Sequence, residues 1–169
     1  MIIEPQVFGD ARGFFVETFQ VERYRKVVGI EMPFVQDNQS RSAHGVLRGM
    51  HSQRLRPQGK LVRVTRGEVF DVAADIDPNS STFSRWVGVT LSESNHRQLW
   101  VPPGYVHGFV VLSDTADFAY KCTDYYDPAS EYGVVWNDPQ LAIDWPIKSP
   151  TLAERDARLP SLAQLSSKA

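Results

Sequence analysis

Hydrophobic and polar positions alternate through the middle of the chain. Across residues 68–76, Phe70, Val72, Ala74 and Ile76 fall on one side of an extended backbone, and Asp71 and Asp75 on the other. A period of two in a run rich in β-branched residues predicts a strand. Similar runs cover residues 60–66, 85–91, 97–101, 107–112 and 117–122. Turn chemistry separates them at Arg66-Gly67, Asp77-Pro-Asn-Ser80, Pro102-Pro-Gly104 and Ser113-Asp-Thr115. Many short strands at near-even spacing predict an all-β sandwich or barrel. Helix is sparse. Residues 20–28 predict two turns ending at Gly29, a natural C-terminal cap. Thr151-x-x-Glu154 beside Pro150 resembles a capping box and predicts a short helix over 152–158. Residues 1–19 are extended but lie outside the regular spacing, as an arm that pairs with another subunit's sheet edge does.

The length of 169 residues suits one domain spanning the chain, with an N-terminal arm over 1–35. A net charge of −2 gives no reason to expect nucleic acid or a membrane surface as a partner. Cys122 is the sole cysteine, so no intramolecular disulfide can form, and the cytoplasm is the expected compartment. No charged-then-apolar leader opens the sequence, and no run is long enough to span a bilayer.

Three side chains suit proton chemistry. His51 is the leading base, because imidazole titrates near neutrality. Such a base needs a carboxylate on its other nitrogen, and Asp37, Asp71, Asp75, Asp138 and Asp156 are all candidates. Lys60 opens a strand soon after His51 and suits a developing oxyanion such as an enolate. Tyr120 shares a strand face with Phe118 and can donate a proton from the side opposite a base. Taken singly, each also reads as an ordinary structural residue. Strict alternation would put Arg48 and His51 on opposite faces, and Gly45 and Gly49 permit a bulge that brings both to one cavity. Arg12, Arg48, Arg63 and Arg66 are candidate phosphate ligands by side chain, since no Gly-rich phosphate loop is present. Gln36-Asp37-Asn38 reads as an inward polar cluster or as a turn.

Two motifs join these residues. Gly45 is followed six residues later by His51, and Pro102-x-Gly104-x-x-His107 follows further on. Together they resemble the two motifs of the cupins, small jelly-roll β-barrels that usually hold a metal on His and Glu. Here Gln53 takes the place of the second His and the expected Glu is missing. Gln is a weak ligand for a transition metal, and no carboxylate completes the set with His51 and His107, so no metal is expected.

A longer series of matches is more specific. Asp10-Ala-Arg12-Gly-Phe-Phe-Val-Glu17, Phe34-Val-Gln-Asp-Asn38, Gly45-Val-Leu-Arg-Gly49, Gln58-Gly-Lys-Leu-Val-Arg63, Gly67-Glu-Val-Phe-Asp71, Gln98-Leu-Trp100, His107-Gly-Phe109, Tyr120-Lys121, Asp124-Tyr-Tyr126 and Ile143-Asp-Trp145 occur in order. The chain resembles the dTDP-4-dehydrorhamnose 3,5-epimerases from about Val7 to about Leu162. The resemblance implies a cupin jelly-roll homodimer with short flanking helices and no cofactor. It implies conversion of dTDP-4-dehydro-6-deoxy-D-glucose to dTDP-4-dehydro-L-rhamnose. Carried onto this chain, His51 is the base, Asp156 its orienting partner, Lys60 the enolate stabiliser and Tyr120 the acid. Arg12, Glu17, Gln36, Asn38, Arg48, His107, Glu131 and Arg155 line the nucleotide-sugar site, with Arg12 and Glu17 serving the neighbouring subunit. Ser52 departs from the family's usual aromatic, Met50 from Leu, and Arg155 from Lys. The rival readings are an epimerase acting at C3 or C5 alone on a related dTDP-4-keto-6-deoxy sugar, a cupin that binds a nucleotide sugar without turning it over, and a metal-dependent cupin.

Overall fold

The computed structural model describes residues 1–166. Two antiparallel five-stranded sheets lie face to face. The first runs in the order β1 (Ile2–Ile3), β9 (Gln98–Val101), β6 (Lys60–Arg66), β11 (Thr115–Cys122), β4 (Gln36–Ala43). The second runs β12 (Glu131–Gly133), β5 (Leu47–Gln53), β10 (Val106–Val111), β7 (Glu68–Ala74), β8 (Trp86–Ser92). The all-β sandwich expected from the pattern, and the jelly roll implied by the resemblance, are present, with two sheets that do not join into a closed barrel. A separate hairpin, β2 (Val7–Asp10) with β3 (Gly13–Val16), stands apart from both sheets. The N-terminal segment is not wholly free, because Ile2 and Ile3 pair with Leu99 and Gln98 at the edge of the first sheet.

Three apolar layers hold the sheets. Val62, Val64, Val69, Leu91, Leu99, Val101, Phe109, Val111 and Phe118 fill the space between them. Leu47, Met50, Val72, Ala74, Val106 and Val110 on the outer face of the second sheet pack under Leu141, Trp145 and Leu162 of the C-terminal segment. Leu61 and Trp100 on the outer face of the first sheet pack under Tyr24 and Ile30. Each fully buried aliphatic side chain contributes about 1.5–3 kcal/mol. Strand β7 is therefore buried on both faces. Phe70, Val72 and Ala74 look outward under the C-terminal cover, while Asp71 is fully buried on the inner side.

The helices are short. Helix α1 (Val21–Val28) starts where the Gln20 side chain accepts the Arg23 N–H at 2.5 Å, and ends at Gly29 in the left-handed conformation. Helix α2 (Glu154–Ala157) is shorter than expected, and the Thr151 capping box does not form. Its N-cap is Ala153, which makes no side-chain cap, because Thr151 is drawn into a bridge with Val46. A further helix, α3 (Leu162–Ser166), follows at the C-terminus.

The anticipated bulge falls in β5. His107 pairs with His51, but Phe109 pairs with Arg48, so β5 carries one residue more than β10 across this step. As a result Leu47 and Met50 enter the outer core while Arg48 and His51 both line the inner cavity. Gly49 makes the close approach possible. Its φ is +123°, and a Cβ there would lie 2.6 Å from the Gly108 Cα and 2.7 Å from the His107 carbonyl oxygen. Gly49→Ala is expected to destabilise the protein by on the order of 3 kcal/mol, through a backbone clash and an unfavourable φ, as read by urea unfolding.

Candidate active site

A cavity of about 470 Å³ is lined by residues of both sheets. The second sheet contributes Arg48, His51, Gln53, His107, Phe109 and Glu131 to its walls, and the first sheet contributes Gln36, Asn38, Ser40, Lys60, Phe118 and Tyr120. Arg155 and Asp156 close it from α2. Ten of the twelve side chains expected at a site thus converge here. Arg12 and Glu17 do not. Arg12 is exposed at the hairpin turn and pairs with Asp10, and Glu17 pairs with Arg23 at 2.7 Å. The hairpin belongs to neither sheet and contributes no residue to its own chain's cavity lining. Arg63 and Arg66 also lie outside the cavity lining, Arg63 on a separate surface groove with Thr18 and Gln98.

Of the five candidate carboxylates, the one that meets His51 is Asp156, as the resemblance implied. His51 Nε2 lies 2.8 Å from Asp156 Oδ1. An ionised carboxylate only accepts, so Nε2 carries the proton and Nδ1 is the nitrogen left to take one. Asp156 Oδ2 also accepts the Gly49 N–H at 3.3 Å, and Arg155 Nε stands 3.4 Å from Oδ1. Burial pushes the Asp156 carboxyl up, but the His51 bond and charge, the Gly49 N–H and Arg155 outweigh it and hold the group below its ordinary value. The other candidates are engaged elsewhere. Asp71 meets His107 Nε2 at 2.9 and 3.0 Å. Asp75 accepts from Ser80, Thr82 and the Asp77 N–H in a turn. Asp138 caps the Gln140, Leu141 and Leu162 amides, and Asp37 points outward to Lys121.

Burial acts on the other two candidates in opposite directions. It pushes the Lys60 ammonium below the ordinary lysine range, and the Cys122 thiol, Glu131 and Asp71 offset only part of this. No hydrogen bond or ion pair to Lys60 Nζ is made among the described residues. Burial pushes the Tyr120 phenol above its ordinary value, so it stays protonated at neutral pH. Phe109 and Phe118 stack at 4.1 Å, and His107 stacks on Phe118 at 6.0 Å, giving the cavity an apolar floor.

The polar run at 36–38 is a strand and not a turn. Gln36, Asn38 and Ser40 alternate inward, Gln36 Nε2 donates to Asn38 Oδ1 at 3.1 Å, and Asn38 Nδ2 lies 3.6 Å from Cys122 Sγ. Ser40 follows from the same period of two. Tyr126 went unanticipated, although its hydroxyl donates to Glu131 Oε2 at 3.2 Å at the cavity rim. It lies in an irregular segment, where no periodicity marks direction. Arg155 also pairs with Glu131, at 3.0 Å. Gln53 does not point a free amide at the other cupin-ligand positions, since both ends of its side chain bond to backbone. Among the described residues no group of three or more His, Cys, Asp or Glu is placed to hold a metal.

A jelly roll with a His–Asp pair, a half-buried ammonium and a phenol around one cavity defines a cupin-like fold with groups suited to acid–base chemistry. Comparison with known proteins agrees. The family model described as dTDP-4-dehydrorhamnose 3,5-epimerase matches residues 1–164. The dTDP-4-dehydrorhamnose 3,5-epimerase of Escherichia coli is 54% identical over 167 residues, 98% of this chain and 90% of that protein. The enzyme of the same name from Pseudomonas aeruginosa is 55% identical over 157 residues, covering 92% of this chain and 87% of that protein. A dTDP-6-deoxy-D-glucose-3,5-epimerase of Legionella pneumophila, solved in complex with dTDP-4-keto-L-rhamnose, superposes with a TM-score of 0.96 at 56% identity. That match covers 99% of this chain and 89% of that one. The chain belongs to the dTDP-4-dehydrorhamnose 3,5-epimerase family.

The Asp156 shift has a sign that can be tested. Its native pKa is depressed, so the pairing contributes fully above the ordinary carboxylate value of 3.8 and is lost as pH falls through the native value. In urea unfolding across a pH series, the stability advantage over Asp156→Asn is expected to be constant above that value and to shrink below it.

Proposed function

We propose that this protein inverts both C3 and C5 of dTDP-4-dehydro-6-deoxy-D-glucose to give dTDP-4-dehydro-L-rhamnose. His51 Nδ1 removes the proton from a carbon alpha to the C4 ketone. The electron pair moves to the C4 oxygen, where the Lys60 ammonium meets the enolate charge. The Tyr120 phenol returns a proton to the carbon from the opposite side, and exchange with water restores His51 and Tyr120. No oxidation occurs, and one cation serves both inversions because both carbons flank the same ketone. The observation that carries this is that His51 and Tyr120 line one cavity from opposite sheets. Asp156 orients the base. Gln36, Asn38, Arg48, His107, Glu131 and Arg155 bind the nucleotide sugar, the two arginines being suited to its diphosphate. Inversion at both carbons is favoured over a single-carbon reaction because relatives at 54 and 55% identity are 3,5-epimerases.

The protein acts as a homodimer of one-domain chains, in which the arm over 1–35 delivers Arg12 and Glu17 to the partner's cavity. Phe8 and Phe15 support this. They are cross-strand partners on one face of the hairpin and are 55% and 68% exposed. Cytoplasmic residence fits the sole cysteine, Cys122, and no helix among the described residues is long and apolar enough to cross a membrane.

The reaction is tested by incubating chelator-treated protein with the sugar nucleotide in deuterated water and following C3 and C5 by NMR. Deuterium at both carbons is expected. Label at one carbon alone points to a single-site epimerase, and label at neither overturns the proposal. His51→Ala and Tyr120→Phe are each expected to lower kcat about 10²–10⁴-fold while leaving dTDP affinity nearly unchanged, by steady-state kinetics and calorimetry. Phe15→Glu is expected to shift the protein to monomer in sedimentation velocity and to reduce kcat/KM. A dimer that persists removes the hairpin from the interface.

A further inference from the structure

Gln53 lies two residues beyond the base on β5 and is 4% exposed. It lines the cavity wall, yet its amide is spent on backbone. Nε2 donates to the carbonyl oxygens of Arg56 at 2.7 Å and Tyr125 at 3.2 Å, and Oε1 accepts the Asp127 N–H at 3.0 Å. These three groups belong to the segments after β5 and β11, which form no strand or helix there. A primary amide supplies two donors and an acceptor without carrying charge, which is the set these groups require.

The segment held this way carries Tyr126. Its N–H donates to Gln36 Oε1 at 2.9 Å, so residues 125–127 are gripped from β5 of one sheet and β4 of the other. The Tyr126 hydroxyl donates to Glu131, which pairs in register with Gln53 and forms an ion pair with Arg155. We infer that Gln53 is a positioning residue, a clamp that presets Tyr126 and the Glu131–Arg155 pair as a binding wall at the cavity mouth. The inference rests on the epimerase reading only for the identity of the ligand. The clamp serves binding and not proton transfer, because His51, Lys60 and Tyr120 stand on strands whose ladders do not run through the 125–127 segment.

Gln53→Met keeps length and volume and removes all three hydrogen bonds, so a role in packing alone predicts little change. Hydrogen exchange of the Asp127 amide in the ligand-free protein is expected to speed up about tenfold or more. In steady state, KM is expected to rise about tenfold, with kcat changing much less. Because the effect passes through Tyr126, the double variant with Tyr126→Phe is expected to match Gln53→Met alone in KM. Unchanged Asp127 exchange, a loss carried by kcat with KM preserved, or independent multiplication of the two KM effects would each overturn the clamp. If the wild type leaves the sugar nucleotide unlabelled, the epimerase reading fails, and exchange at Asp127 alone still decides the clamp. Gln53→Glu keeps the acceptor and loses both donors. It is read by the same KM and kcat criteria if the Met variant does not fold.

Discussion

One buried carboxylate ties the site together. Asp156, 2% exposed, accepts the Gly49 N–H with one oxygen and faces the His51 ring with the other. The first bond anchors the bulge in β5, and the second orients the His51 ring. Without the bulge, Arg48 and His51 would project from opposite faces, because side chains alternate along a strand. The extra residue in β5 lets both line one cavity while Leu47 and Met50 still enter the outer core. The convergence of Arg48 and His51 therefore depends on a backbone irregularity that Gly49 permits, and that irregularity is bonded to the same carboxylate that meets the His51 ring.

The two sheets divide the remaining work. His51 stands on the second sheet, and Lys60 and Tyr120 on the first, so the cavity lies between the imidazole and the other two groups. The apolar layer packed between the sheets holds this separation, and fixed placement of this kind is what the proposed transfer across a ring would need. Burial then sets the chemistry of each group. It depresses the Lys60 ammonium and raises the Tyr120 phenol, and it leaves Lys60 without an ion-pair partner among the described residues. An unneutralised cation in a partly dry cavity is a strong stabiliser for a charge that appears only during reaction.

A second His–Asp pair joins His107, which lines the same cavity and stacks on Phe118, to the fully buried Asp71 behind it. Its carboxylate comes from β7, whose alternation placed Asp71 on the face opposite Phe70 and Val72. That face is the interior of the sandwich and not solvent, because the C-terminal segment covers the apolar side of the same strand. Alternation thus gave the right division of faces, while the location of each face came from packing.

Much of this was legible in the residues. Period-two patterning located β6 to β11 within a residue or two, and Gly29 marked the end of α1. The two cupin-like motifs and the ordered family matches pointed to His51, Lys60 and Tyr120. Strand β4 was harder to read, because Gln36, Asn38 and Ser40 face a polar cavity and so lack an apolar stripe. The Thr151 box misled, since its backbone bridges to Val46 and its side chain caps no helix. The sequence by itself determined the strands, the turns and the kinds of chemistry available, because those follow from local periodicity and side-chain type. The residue pattern alone left five carboxylates open, and the resemblance named Asp156 and gave Arg12 to a neighbouring subunit; only the tertiary structure brings Asp156 to His51, leaves Arg12 out of its own chain's cavity lining and ties Gln53 to backbone. Each depends on groups far apart in the chain being brought within hydrogen-bond reach, which no local pattern encodes.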